Sequence, residues 1–155
     1  MEIRLVLEHD LIKNEDILKK LIKENLKMNF KSINSLAEPA VNGYNNMIRF
    51  IRDGSAIIIG AFENSDLIGF LWAYSRDFLG EQRLFITQII VGSNARSSGI
   101  GKQLLYTLEG IAQEMNIKKI ELMATVENEG AIKFYKKNGF TEERIQFEKE
   151  LRSEH

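Results

Sequence analysis

The sequence has no cysteine and only two histidines, and these absences exclude several kinds of chemistry. Without cysteine the chain has no disulfide, no thiolate ligand for zinc and no thiol nucleophile. His9 and His155 lie near opposite ends of the sequence, which argues against a histidine-based triad or metal site. We therefore expect neither a metal site nor catalysis through a cysteine.

Long apolar runs and an excess of positive charge are also missing. No segment approaches the roughly 20 apolar residues that a membrane span needs, and the first ten residues do not resemble a secretory signal. The net charge is −1, whereas a nucleic-acid surface needs a basic excess. We therefore expect a cytoplasmic protein that binds neither membrane nor nucleic acid. Its 155 residues, 44% of them hydrophobic, fit one domain over residues 1–155.

The hydrophobic pattern predicts an α/β fold in which strands and helices are interleaved. Residues 28–43 look irregular and hold the only proline, Pro39. Asn14 is a predicted N-cap, and Asn138-Gly139 is a typical helix end. The predicted strands are 2–8, 56–62, 67–74, 83–91, 118–125 and one or two within 140–151, and the helices are 15–26, 44–52, 100–115 and 129–137. This order predicts a mixed sheet of six or seven strands flanked by about four helices.

Residues 89–102 combine a strand, a polar loop and a helix that begins among glycines. The N-terminus of a helix carries free N–H groups and partial positive charge, so it attracts phosphate. Gly99 and Gly101 have no Cβ atom, which would let an anion approach the backbone. The residues predicted to line this anion site are Arg96, Ser97, Ser98, Gly99, Ile100, Gly101 and Lys102.

The loop differs from two other glycine-rich phosphate motifs. A dinucleotide fingerprint needs a third glycine where this sequence has Leu104. A P-loop needs serine or threonine after its lysine, whereas Lys102 is followed by Gln103. Neither motif fits, so an anion site of open nucleotide class remains, and an ordinary helix start without a ligand is the alternative.

A second motif follows about 27 residues later, with Asn128, Ala131, Tyr135 and Gly139-Phe140 at spacings of three or four residues. Together with Arg96-x-x-Gly99-x-Gly101, it resembles the GNAT superfamily of N-acetyltransferases. The resemblance covers about residues 56–147. It implies that strands 83–91 and 118–125 run parallel and splay apart, and that acetyl-CoA, the cosubstrate, enters the gap.

The resemblance also implies roles for individual residues. The pantetheine arm would pair with backbone groups of Ile89, Ile90 and Val91, and Asn128 would meet its amide region. The amides of residues 97–102 would hold the pyrophosphate. Apart from the resemblance, Lys136 and Lys137 are candidates to reach the 3′-phosphate, but lysines at a helix C-terminus are also common without a ligand. Tyr135 would give a proton to the leaving thiolate, and a backbone amide near Ile90 or Val91 would bind the carbonyl oxygen.

The general base is the least defined part of the site. Glu81, just before the inner part of strand 83–91, is the first candidate, and Asp77 and Glu121 are weaker ones. A base relayed through water is equally consistent. Phe30 and Tyr44 would line the acceptor pocket or belong to the core, and Phe70, Trp72 and Tyr74 are read as core residues.

We therefore expect an N-acetyltransferase that moves an acetyl group from acetyl-CoA to a primary amine of a small molecule or peptide by direct attack. One alternative is a non-catalytic acetyl-CoA-binding module, and another is an unrelated nucleotide-binding α/β protein. The sequence does not identify the acceptor amine. The resemblance to the family is compatible with a homodimer.

Overall fold

The computed structural model describes residues 1–96 and 98–153. The strands are β1 (Glu2–Leu5), β2 (Ala56–Glu63), β3 (Asp66–Phe78), β4 (Glu81–Val91) and β5 (Ile120–Leu122). The helices are α1 (Glu8–Lys13), α2 (Glu15–Asn29), α3 (Ala37–Arg52), α4 (Ile100–Glu114) and α5 (Glu129–Lys137), with a 3₁₀ turn at Ser93–Ala95. None of the helices in the described part of the chain is long and apolar enough to cross a membrane.

The sheet is mixed, with the strands in sequential order from β1 to β5. β1 to β4 pair antiparallel, and β4 and β5 pair parallel. The predicted hairpin between β2 and β3 is confirmed. Its turn places Asn64 and Ser65 at positive φ, as a tight two-residue hairpin requires.

Two apolar layers cover the two faces of the sheet. Alternate residues of each strand point to opposite faces, so Ile58 packs toward α1–α3 and its neighbour Ile59 packs toward α4. Phe70 and Trp72 are buried in the layer under α1–α3, which confirms the core reading of these aromatic residues. Phe134 of α5 packs against the other layer, so α5 lies on the same side as α4.

A buried ion pair ties β1 to α1. Asp10 is only 5% exposed, and both of its oxygens accept hydrogen bonds of 2.8 Å from Arg4. The backbone N–H of Leu7 donates a third. These hydrogen bonds, that of Arg4 foremost, outweigh the effect of burial and lower the pKa of Asp10 to about 2.

Two of the predicted boundaries were wrong. The helix expected over 44–52 begins at Ala37. Pro39 is tolerated there because it falls in the first turn of the helix, where a backbone N–H would have no partner within the helix. The first strand ends at Leu5 instead of residue 8, and a short helix, α1, follows at Glu8–Lys13, where no helix was predicted. The prediction counted about four helices, and the described residues form five α-helices.

The predicted sixth and seventh strands do not form in the described residues, which contain five strands. Residues 141–153 have no strand or helix, and the side chains of Ile145 and Phe147 are exposed. On the side of β4 the sheet ends at β5, which covers three residues instead of the expected 118–125. So short an edge offers few backbone groups for another strand to pair with.

Candidate active site

A gap opens between β4 and β5. Their parallel pairing covers three positions and ends at Ile86 and Leu122, whereas β4 continues to Val91. Just after that point, Thr87 is an extra residue in the pairing of β3 with β4, because Trp72 is opposite Gln88 and Ala73 is opposite Ile86. Such a bulge bends its strand. The hydroxyl of Thr87 donates to the carbonyl of Trp72 at 3.1 Å, which stabilises the bulge.

The wide end of the gap faces the loop before α4. Gly99 adopts a left-handed conformation with φ of +82° and is the N-cap of α4. The N–H groups of the first turn, from Ile100 to Lys102, therefore have no partner within the helix. The strand edge at Ile89–Val91 and this helix N-terminus thus follow one another along the chain, as the sequence predicted.

Each of the two glycines, Gly99 and Gly101, has a structural role within the protein besides the predicted approach of an anion. A Cβ atom at Gly99 would meet nothing within 4 Å, so glycine is favoured there by its positive φ. A Cβ atom at Gly101 would lie 2.9 Å from Cζ of Phe134. Gly101 therefore makes room for an aromatic ring of α5, a role that the sequence did not predict, and its part in holding an anion stays a prediction.

Two polar side chains of the loop, those of Arg96 and Ser98, already have partners within the protein. Arg96 donates from Nε to the carbonyl of Val91 at 3.0 Å, and it pairs with Glu24 of α2 at 3.5 Å. The hydroxyl of Ser98 donates to the carbonyl of Ala95. Lys102 is exposed and lines an open depression beside Tyr106. Ser97, the remaining predicted loop residue, lies outside the described residues.

Tyr135 lies on α5 between two aromatic rings. Its ring centroid is 5.5 Å from that of Phe134 and 5.8 Å from that of Phe140, both in edge-on geometry. Burial raises the pKa of Tyr135 to about 12, because the ionised phenolate loses more hydration than the neutral phenol. The phenol therefore keeps its proton at neutral pH, so it can donate that proton in a hydrogen bond.

Asn128 is the N-cap of α5, where its side chain accepts a hydrogen bond from the N–H of Ala131 at 3.3 Å. Its amide nitrogen donates to Asn29, at the end of α2, at 3.1 Å. At the other end of α5, Lys136 pairs with Glu142, and Lys137 is exposed. Exposed lysine is common in the last turn of a helix, so the position of Lys137 fits either a phosphate contact or none.

The structure does not bring Glu81 to the gap. Glu81 lies at the first position of β4, eight residues and roughly 25 Å of strand from Ile89. It pairs with Arg83 at 2.8 Å and with Lys119 at 3.8 Å. The weaker candidate Asp77 lies in the same region and accepts a hydrogen bond from the N–H of Gly80 at 3.3 Å.

Glu121 is also committed to a structural ion pair. Burial alone would raise the pKa of Glu121, but hydrogen bonds from Arg76 and Arg83 outweigh it, and the pKa is lowered. A carboxylate of lowered pKa is a weak base.

The two aromatic residues considered for the acceptor pocket lie in different surroundings. Tyr44 is buried and its hydroxyl donates to the carbonyl of Leu11 at 3.1 Å, which places it in the core, whereas Phe30 is half exposed.

Sequence reasoning missed the polar groups that α2 brings to the site. Glu24, Asn25 and Asn29 lie on its C-terminal half, and they reach Arg96, Gln88 and Asn128 respectively. The i, i+4 spacing of the two asparagines was visible in the sequence. Their partners were not, since they lie 63 to 99 residues away along the chain. No group of acidic or histidine side chains in residues 1–96 and 98–153 is arranged to hold a metal ion.

The family comparison identifies this architecture. The model of the acetyltransferase (GNAT) family matches residues 19–140, which is more than half of the chain. The chain therefore belongs to the GNAT acetyltransferase family, as its two motifs predicted.

Individual relatives are more distant. The uncharacterized N-acetyltransferase YycN of Bacillus subtilis (strain 168) is 31% identical over 86 residues, which are 56% of this chain and 55% of YycN. This chain thus spans about half the length of that curated relative.

Solved structures share the fold. The aminoglycoside acetyltransferase meta-AAC0020 from an uncultured soil metagenomic sample, in complex with sisomicin, has a TM-score of 0.74 and 19% identity over 97% of this chain and 96% of its own. A ribosomal-protein-alanine N-acetyltransferase from Brucella melitensis biovar Abortus 2308 has a TM-score of 0.71 and 20% identity over 97% of this chain and 100% of its own. Their names give different acceptors, so the shared fold leaves the acceptor open.

Proposed function

We propose that this protein transfers an acetyl group from acetyl-CoA to a primary amine of a small molecule or peptide. One observation carries the proposal: β4 leaves β5 at Ile86 and runs on to Val91, and the loop that follows leads to a helix whose first turn has free N–H groups. A free strand edge can pair with the amides of a pantetheine arm as it would with another strand. A free helix N-terminus can hold the pyrophosphate next to it.

The proposed chemistry is a direct attack in which Tyr135 supplies the proton. The lone pair of a neutral amine attacks the thioester carbon, and the carbonyl π electrons move onto oxygen. When the intermediate collapses, the C–S bond breaks and the thiolate takes the proton of the Tyr135 phenol. The proton that the amine nitrogen loses restores the phenol through solvent, so the net products are an amide and free coenzyme A.

The proton of the amine leaves through water in this proposal. Three carboxylates were candidates for the base. Glu81 lies at the other end of β4, Asp77 lies near the end of β3, and Glu121 is paired with Arg76. Around Gln88, α2 brings the amides of Asn25 and Asn29 close to β4 and α5, while its Glu24 is paired with Arg96. An amide is not a base at neutral pH, so the fraction of neutral amine in solution sets the rate.

A two-stage measurement tests this function. Thermal unfolding with acetyl-CoA, coenzyme A, ATP and NAD comes first, and we expect the two coenzyme A species alone to raise the Tm. Release of free thiol from acetyl-CoA is then measured with sisomicin, glucosamine, spermidine and a peptide with N-terminal alanine. Equal stabilisation by ATP would favour the unrelated nucleotide-binding alternative. Binding of acetyl-CoA with no transfer to any of these amines would favour the non-catalytic binding module.

A further inference from the structure

Four side-chain amides form a hydrogen-bonded row from α5 to β4, with α2 between them. Asn128 donates to Oδ1 of Asn29 at 3.1 Å. Asn29 donates to Oδ1 of Asn25 at 3.2 Å, and Asn25 donates to Oε1 of Gln88 at 3.4 Å. All four side chains are partly buried. We call this set, Asn128, Asn29, Asn25 and Gln88, the amide row.

Backbone groups fix the direction of the amide row. Oδ1 of Asn128 accepts from the N–H of Ala131, which can only donate, so Nδ2 must face Asn29. Nδ2 of Asn29 also donates at 2.8 Å to the backbone carbonyl of Asn25, which can only accept. Each asparagine of the row therefore donates a hydrogen bond to the next residue in the direction of β4. At the end of the row, Nε2 of Gln88 keeps its two N–H groups, and no acceptor in the described part of the chain takes them.

The position of Gln88 relates this free donor to the gap. Gln88 directly follows the bulge at Thr87 and precedes Ile89–Val91. A chain-like ligand that enters beside α4 and follows β4 is stopped where the strands pair again, at Ile86 and Leu122. Its reactive end must then lie beside Thr87 and Gln88.

We propose that Gln88 is a further catalytic residue, whose Nε2 donates a hydrogen bond to the carbonyl oxygen of the thioester. The inference rests on the proposed acetyl transfer. As the amine forms its C–N bond, the carbonyl electron pair moves onto that oxygen, and a donor already in place stabilises the growing negative charge. When the C–S bond breaks, the pair returns to form the amide carbonyl.

Asn25 and Asn29 are positioning residues in this scheme. A row of amides that all donate in one direction polarises its members, which strengthens the donor at its end. The row also holds the Gln88 side chain away from alternative rotamers. Because the amides are neutral, they bring no negative charge near the oxyanion.

Gln88→Met tests the proposal, since it removes the amide and keeps a side chain of similar length. Gln113→Met, at an exposed position of α4, is the matched control. We expect Gln88→Met to lower kcat about 100-fold, the loss typical of one oxyanion donor, and Gln113→Met to leave it unchanged. Gln88→Glu keeps an oxygen for Asn25 but adds a negative charge, so it is expected to be slower still.

A binding measurement separates the carbonyl contact from a structural effect. One neutral hydrogen bond to the acetyl oxygen should make the unsubstituted protein bind acetyl-CoA about three- to tenfold more tightly than coenzyme A in calorimetry. Gln88→Met should bring this ratio close to one. Asn25→Ala should lower kcat about three- to tenfold, but hardly further in the Gln88→Met background, because the two act through one donor.

Two results would overturn the role of Gln88. One is a kcat of Gln88→Met within about twofold of the unsubstituted protein, and the other is an affinity ratio that survives the substitution. Failure of the unsubstituted protein to bind either coenzyme species would instead contradict the proposed function, and this inference with it.

Discussion

Gly101 lies where α4 meets α5, and a methyl group added there tests whether this contact sets the position of Tyr135. A Cβ atom would lie 2.9 Å from Cζ and 3.3 Å from Cε1 of Phe134. Carbon atoms pack comfortably at about 3.5–4.0 Å, so in Gly101→Ala the ring must retreat by about 0.6–1 Å. Phe134 precedes Tyr135 on the same helix, and their rings are in contact. The displacement should therefore reach the phenol.

The structure gives the size of the expected effects. A misplacement of about 1 Å at a reacting group can cost about 100-fold in rate, so we expect kcat of Gly101→Ala to fall about 10- to 100-fold. Overpacking costs about 1–3 kcal/mol, and the better helix propensity of alanine returns about 1 kcal/mol. The free energy of unfolding should thus fall by about 0–2 kcal/mol. The affinity for acetyl-CoA should change less than about threefold, because the N–H of residue 101 is kept.

The assay compares Gly101→Ala with Gly110→Ala in the same helix. A Cβ atom at Gly110 would meet nothing within 4 Å. This control should gain up to about 1 kcal/mol of stability and keep its turnover. Thiol release gives kcat, calorimetry gives the affinity for acetyl-CoA, and urea unfolding gives the stability.

Opposite results would refute this reasoning. If Gly101→Ala kept its turnover but lost about tenfold or more in coenzyme affinity, the original reading of Gly101 as an anion cradle would be right. Phe134→Leu in the Gly101→Ala background provides a second check, because a smaller side chain should restore part of the lost turnover. No recovery in that double variant would mean that the ring does not transmit the effect.

Three further predictions concern the phenol, the amine and the buried ion pair. Tyr135→Phe should lower kcat at least about tenfold with little change in the calorimetric affinity for acetyl-CoA, and unchanged turnover would remove Tyr135 from its role. Because burial raises the pKa of Tyr135 to about 12, kcat should show no alkaline fall below about pH 11. With water as the proton acceptor, kcat/KM should rise with pH until the pKa of the amine itself. A plateau at one fixed pH for two amines of different pKa would instead reveal a base on the protein. The lowered pKa of Asp10 stabilises the fold above the unfolded-state pKa of 3.8, and this contribution is lost as the pH falls through about 2. The difference is worth about 2 kcal/mol, so Asp10→Asn should lower the free energy of unfolding at pH 7 by that amount and by less at pH 2. An equal loss at both pH values in urea titrations would contradict the assignment.

Local chemistry in the sequence was enough to define the elements around the candidate active site. The strand before Gly92, the helix start after Gly99 and the short helix from Glu129 to Lys137 are where the patterns predicted. These features depend on neighbouring residues, since glycine permits a positive φ and an asparagine caps the helix that follows it. The family resemblance rests on the same local motifs.

Tertiary structure alone decided which groups meet across the gap. Gly101 lies against Phe134, and Asn29 lies against Asn128, through contacts between segments that are distant along the chain. It also assigned Glu81 and Glu121 to ion pairs with arginines, which no spacing rule predicts. The reason is physical: a backbone pattern is set by residues within a few positions, whereas a side chain's partner depends on how sheet and helices pack.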